Sequence, residues 1–556
     1  MLALLGIGLS CSPASDPSGE GASGGSVGAV GGAPGPQSGG ALASGGSGTG
    51  AGPAATGASG GALTGGAGPG GNSSGGVQTG AGGAPAPRDC ENDSPALSVR
   101  LLETKRVSEL GSLFSNQEDS VGPRTWQARY GKAPEIVPVA DGDGLAVLLQ
   151  DQSSGAAAHV VHLAPSEVGY AVDAVYEVES LGRIMGLALD EDGNYFVATG
   201  VDEDDDVDAT YPPNDIPRPD IVRLVKFDRS GCVLRETDVD MARREADPEA
   251  EIIVNPMVAG SSRLAYGAGH LLLVHSHNTE PDENIGGTRH QKAIATHFDA
   301  ETGAVTRAST MWVSHSFDQR ALFDGTGFVE LHLGDAYPRT LTVGRYPASG
   351  RGVTRDLFHI KGPEGDNNTF TRLGGIAQVD DPEFGYLVLF STERSAGFEG
   401  DEEIRGTRDL ALVRVRSDLE EVEGSVIDRG PQTTEFAVVS SAKEQTNHVR
   451  WLTDLGENRH VERPRIVAAG GGAIALWEEW SMSGMMSRFE GVYALSLGAD
   501  GEVADGPEQL PGAQHISRGD DAISVGGRAL YVSGSAEGLV LHFVASDLSL
   551  EQLTIP

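Results

Sequence analysis

The chain has 556 residues, and 40 Lys+Arg against 79 Asp+Glu give it a formal charge of −39 at pH 7. So acidic a balance argues against nucleic-acid binding, because little in it could replace the counterions on phosphates. Three cysteines exclude a disulfide-dense mini-fold and a four-cysteine zinc site, and no run of about 18–20 apolar residues offers a membrane-spanning helix.

Residues 1–10 (MLALLGIGLS) are an apolar stretch ending in small residues just before Cys11. That is the shape of the hydrophobic part and cleavage zone of an export signal. It resembles a bacterial lipoprotein signal, in which the cysteine is lipidated and becomes the mature N-terminus. The resemblance implies a membrane-lipid anchor through Cys11. Two features depart from it: no Lys or Arg precedes the apolar run, which leaves the translation start open, and Gly8 stands where the family usually has Leu. Residues 11–89 follow as a linker. Its stretch 12–87 holds 28 Gly, with Asp16 and Glu20 as its only charges. Such a composition cannot bury enough apolar surface to offset its ordering entropy, so a disordered tether is expected. As a Gly/Ser-type coil it would span roughly 50 Å, and about 250 Å at full stretch.

Beyond Pro87 the composition changes to β-branched and aromatic residues in short runs, broken by Gly, Asp and Pro. An all-β domain over 90–556 is predicted. A phrase of four short runs recurs in it. Residues 184–236 show it as IMGLALDEDGNYFVATG and DIVRLVKFDRSGCVLRE, and further copies lie in 262–307, 372–425, 463–504 and 522–550, with looser ones in 135–170 and 315–357. The turns after the third run fall near 164, 228, 299, 347, 417, 499 and 547. Four strands per unit and seven units predict a single seven-bladed β-propeller, since closing a ring protects strand edges that an open sheet would expose. Six or eight blades, then stacked sandwiches, are the alternatives. Residues 96–107 (ALSVRLLETKRV) are placed as an extra strand closing the ring against the last blade. Cys90 and Cys232, in an oxidising compartment, could form one bridge; a pair of buried thiols is the other reading.

Candidate chemistry concentrates between residues 270 and 339, which hold seven of the chain's 14 histidines. In a strand, His275 and His277 share a face, the geometry that an H-x-H metal pair needs. His290, His315, Asp318 or Asp335 could complete a ligand or metal site, while hydrogen bonding between blades is the structural alternative. Asp190 is a further, weaker candidate contact. Acidic loops suggest calcium as a second cofactor: DEDDDVD (202–208), DGDG (141–144), DEDG (190–193) and VDDPE (379–383). The full EF-hand pattern is missing, however, and Asp-Gly pairs are common hairpin turns. In WEEW (477–480) the two Trp point to opposite faces of a strand, so Trp477 is expected between blades. Adjacent Glu478 and Glu479 diverge, whereas glycosidic chemistry needs two carboxyls about 5–9 Å apart on one bond. No nucleophile elbow in the folded part, zincin helix or phosphate-binding loop occurs.

The phrase SHSFDQRALFDGTGFVELHLGDAYPR (314–339), with LWEEW (476–480) and the Gly-rich tether, resembles bacterial lipoproteins that carry a propeller-like domain and have no assigned activity. The resemblance implies location and fold rather than chemistry. The expected protein is a monomeric lipoprotein held at the cell envelope, on the outer membrane or cell surface. Its propeller is expected to bind a glycan or protein, or to serve as a scaffold. The alternative is a hydrolase or lyase acting on polysaccharide at one mouth of the channel.

Overall fold

The computed structural model describes Val99 onward, apart from residues 103–105, 110–133, 151–156, 181–182, 202–220, 249–253, 257–259, 283–287, 309–312, 315, 335–339, 348–351, 360–370, 394–406, 420–448 and 484–485. Cys11, the linker 11–89 and Cys90 lie outside these residues.

Seven antiparallel sheets succeed one another along the chain, each built on four strands from one contiguous stretch. Their innermost strands are Ile136–Asp141, Ile184–Leu189, Ser262–Gly267, Ser316–Phe323, Arg372–Gln378, Arg459–Ala469 and Ile523–Val525 in blades 1 to 7. Successive strands are linked mainly by tight turns, and there acidic residues cap their own backbone. The Asp190 carboxylate accepts from the Asn194 N–H at 2.8 Å, and that of Asp228 from the Ser230 and Cys232 N–H groups at 2.8 and 3.0 Å. Gly193 and Gly231 close those turns at φ +77° and +83°, a region that costs other residues a steric clash. Of the turns expected after third strands, 228, 417, 499 and 547 fall between third and fourth strands, 299 and 347 are the last residues of third strands, and 164 lies two residues before the end of Ala157–Ser166. The β-propeller with seven blades is therefore the fold.

Most of the core lies between blades rather than beneath a sheet. One apolar cluster joins each successive pair, and Leu145, Val147 and Val161 of blade 1 meet Leu530, Leu541 and Phe543 of blade 7 to close the ring. The inner strands are consequently buried on both faces: all seven residues of Gly144–Gln150 and of Tyr195–Val201 are buried. Trp477, fully buried, packs against Leu387, Leu389, Leu410 and Leu412 of blade 5 and stacks on Tyr493 at 5.9 Å.

Ring closure differs from the expectation. Val99–Leu101 adds a fifth strand to the outer edge of blade 1, with Val99 opposite Val178, instead of completing blade 7. Blade 7 already has four strands of its own, ending in Leu550–Ile555. The N-terminal segment still meets it: the Val107 N–H donates to the Pro556 carbonyl at 3.1 Å, and the Val107 side chain enters the cluster between blades 1 and 7.

Trp477→Ala should cost about 3–5 kcal/mol by opening a cavity between blades 5 and 6. Urea unfolding measures it; a loss under about 1 kcal/mol would mean that the two blades pack independently of the indole.

Candidate functional site

The seven innermost strands run in one direction around the axis, so their first residues share one rim. Hydrogen bonds pass round that rim from blade to blade. Arg183 Nη2 donates to Gly260 O at 3.1 Å, Ser261 Oγ to Gln319 Oε1 at 2.8 Å, and Arg320 Nη2 to Leu373 O at 3.4 Å. Arg372 lies 4.0 Å from Glu462, which also pairs with the fully buried Arg408. Arg465 donates to Ser517 O and Asp520 O, each at 2.6 Å. Asp520 Oδ1 in turn accepts from the Glu135 and Ile136 N–H groups at 2.6 and 2.9 Å, which brings the ring back to blade 1.

The segment leading into blade 7 also crosses the mouth. Asp521 takes Arg263 of blade 3 on both oxygens, Nη2 to Oδ1 at 2.9 Å and Nε to Oδ2. Its Oδ1 lies 2.8 Å from Arg320 Nε of blade 4, and Arg320 Nη1 also holds Asp318. Blades 3 and 4 are those opposite blade 7, so one carboxylate ties three blades together across the axis. The Asp521 side chain keeps 31% of its surface accessible in the channel. Burial would raise the Asp521 carboxyl, but Arg263 and Arg320 outweigh it and hold it down at about 2. Among the described residues no cation pairs with the Asp520 carboxylate, which is held by the two backbone N–H groups and by Ser517. Burial, reinforced by the charge of Glu135, pushes it up to about 6.

Sequence reasoning missed these arginines. Arg263, Arg320 and Arg465 occupy matching places, opposite Val274, Leu331 and Leu476 of the second strands. The signal was available as Arg followed by two apolar residues (RLA, RAL, RIV) shortly before a turn in blades 3, 4 and 6.

The histidine candidates separate. His275 and His277 share a face of the second strand of blade 3, with ring centroids 5.9 Å apart, and are 1% and 0% exposed. Burial, then His277 and the nearby Arg183 and Arg243, keep the His275 imidazole well below its ordinary range. The site is thus flanked by cations. The His290 side chain, His315 and Asp335 lie outside the described residues, and Asp318 is spent on Arg320. His297 of blade 3 lies 3.5 Å from the buried Glu330 of blade 4, which also lies 3.2 Å from His332, so this histidine contact runs between blades. Among the described residues, no three His, Cys, Asp or Glu side chains gather as a metal site. Of the acidic loops, 202–208 lies outside the described residues. Asp190 is a turn acceptor that also sits 3.2 Å from Lys226 Nζ; Asp141 pairs with His162 and Arg229; Asp381 caps Glu383 and Phe384. Cys232 is disulfide-bonded.

The WEEW carboxylates diverge as expected. Glu479 accepts from Trp477 Nε1 at 3.3 Å and pairs with Arg459. Glu478, on the other face, binds Trp480, Arg463, His515 and the backbone at Ile516.

No protein family matches the sequence, nor does any curated protein. Solved structures do match. Kuenenia stuttgartiensis hydrazine synthase is 11% identical, over 80% of this chain and 99% of its own, at TM-score 0.39. The Dos1 propeller is 11% identical, over 74% of each chain, at 0.34. Trypanosoma rangeli sialidase is 9% identical, over 81% of this chain and 70% of its own, at 0.35. None of these likenesses bears on what this chain binds.

The two neighbouring aspartates should respond oppositely to removal of charge. Asp520 titrates near 3.8 unfolded and near 6 folded, so the folded state binds more protons between those values and stability falls as pH rises through them. The full loss is about 3 kcal/mol. Asp520→Asn should flatten this slope and raise stability at pH 7. Asp521→Asn should lower it by about 3 kcal/mol, because Arg263 loses its counter-charge and Arg320 keeps only Asp318. Urea midpoints at pH 4 and pH 7 decide; a pH slope unchanged by Asp520→Asn would rule out that carboxyl as its source.

Proposed function

We propose that the protein is a binding propeller held at the bacterial envelope through a lipidated Cys11, with the Gly-rich linker as its spacer and a glycan or protein as its ligand. The rim carries this reading. Its arginines and carboxylates are bound to one another and to the backbone, which makes the mouth a fixed frame that can present side chains at constant spacing with little ordering cost on binding. The burial of His275 and His277 beside cations fits a part in the wall between blades rather than contact with a ligand. Cys90 would bridge to Cys232 in the oxidising compartment that this location implies.

A second reading, a hydrolase or lyase acting on polysaccharide, is favoured by the Glu478–His515 contact of 3.2 Å, because a carboxylate-held imidazole can move protons. Release of reducing or unsaturated sugar ends from polysaccharide would favour that reading over binding alone.

In bacteria fed labelled palmitate, the wild-type chain should incorporate label and Cys11→Ser should not; equal labelling of both removes the anchor. On a glycan array the full chain should retain a defined subset of glycans. A blank array, together with no saturable capture by intact envelope-bearing cells, would remove the binding role.

A further inference from the structure

Glu478 is 0% exposed, and four donors converge on it from different directions. Its Oε2 accepts from Trp480 Nε1 at 2.8 Å; its Oε1 accepts from the Ile516 N–H at 2.7 Å, from Arg463 Nη1 at 3.3 Å and from His515 Nδ1 at 3.2 Å. Arg463 reaches this place with a left-handed backbone, φ +49°, which is uncommon for a side-chain-bearing residue and marks a position fixed by its surroundings. Burial opposes the charge, but Arg463 and the other donors hold the carboxyl below its ordinary value. An ionised Glu478 can only accept, so His515 must donate from Nδ1. In the neutral imidazole that fixes the tautomer and leaves Nε2 as an acceptor.

The His515 side chain is 18% exposed, and its Nε2 makes no hydrogen bond to the described residues. The ring lies against two aromatic side chains of blade 6, Phe489 at 4.0 Å and Trp480 at 5.7 Å between centroids. Trp480 and Phe489 are themselves cross-strand partners with rings 5.5 Å apart. Trp480 is 8% exposed, while Phe489 is only partly buried. An oriented acceptor beside an apolar ring face matches a sugar, which presents hydroxyl donors at its edge and C–H groups on its face. The charge balance selects among sugars. Glu478 and Arg463 cancel locally, and a chain of net charge −39 repels uronate and phosphate polymers.

We propose that His515, set by Glu478 and walled by Phe489 and Trp480, forms a binding subsite for a neutral pyranose. The inference rests on the binding-module reading and gives it a place: the point where the segment that crosses the mouth leaves the wall of blade 6.

The test uses the full chain, with calorimetry and tryptophan fluorescence against methyl β-D-glucopyranoside, methyl β-D-galactopyranoside and methyl α-D-mannopyranoside. At least one should bind saturably, with Kd of order 1 mM, as suits a single sugar ring. His515→Ala and Phe489→Ala, both at partly exposed positions, should each weaken it tenfold or more with unchanged unfolding midpoints. His515→Gln, which restores an acceptor, should recover part of the loss. Binding that survives both alanine variants overturns the subsite and leaves the binding module standing. No binding of any of the three sugars also overturns the subsite, and the glycan array then decides the module separately.

Discussion

A ring of sheets must close, and here closure passes through buried charge. Apolar clusters between blades supply attraction but little direction, because Val, Leu and Ala faces can slide past one another. The rim supplies the direction. Each guanidinium there has a fixed fork of donors that meets a carbonyl or carboxylate of another blade or of the segment into blade 7. Asp521 completes the arrangement by drawing Arg263 and Arg320 toward the axis from the far side. Such a network is strong evidence for specificity and weak evidence for net stability, because desolvating the charges offsets much of what their pairing returns. It fixes which blade faces which; the apolar clusters between blades hold them there.

The same logic locates the chain's negative charge. Among the described residues the buried charged side chains are eight arginines, Arg183, Arg243, Arg263, Arg320, Arg372, Arg408, Arg463 and Arg465, against ten carboxylates, Asp141, Asp318, Asp356, Asp409, Asp520, Glu330, Glu393, Glu462, Glu478 and Glu479. Cations and anions are close to balanced there, as low-dielectric surroundings require. Nearly all of the net charge of −39 therefore belongs to groups outside that interior, where water and salt screen it. Acidity of this kind bears on solubility and partner choice and has no part in fixing the fold.

Most of the architecture was legible because turns carry the strongest local signals. Asp190, Asp228, Asp299, Asp324 and Asp547 each bond their own turn backbone, and their spacing marks the third-to-fourth-strand turns or the first or second turn of a blade. Trp477 was placed correctly by strand parity alone. The fifth strand of blade 1 was not, since a strand's sequence says nothing about which of two free edges it will join. The histidine cluster misled attention for a related reason. Parity puts His275 and His277 on one face, but in a propeller both faces of an inner strand are packed, so shared parity does not imply shared access to solvent. The rim was missed because its arginines are single residues spread over some 200 positions, brought together only by rotational symmetry.

Because the segment into blade 7 crosses the mouth, a ligand entering the channel would have to separate Asp521 from Arg263 and Arg320 and leave Asp521 and Arg263 uncompensated, a penalty of about 3–5 kcal/mol before any contact is gained. A surface contact pays nothing of the kind. The place where the segment emerges from the wall is different: Glu478 is already met by four donors, and His515 Nε2 can accept a donor without breaking a bond to any of the described residues. Recognition at the rim therefore follows from the way the ring is closed. The carboxylates that lock the blades remove the channel as a site, and the one that holds His515 leaves an acceptor facing outward beside it.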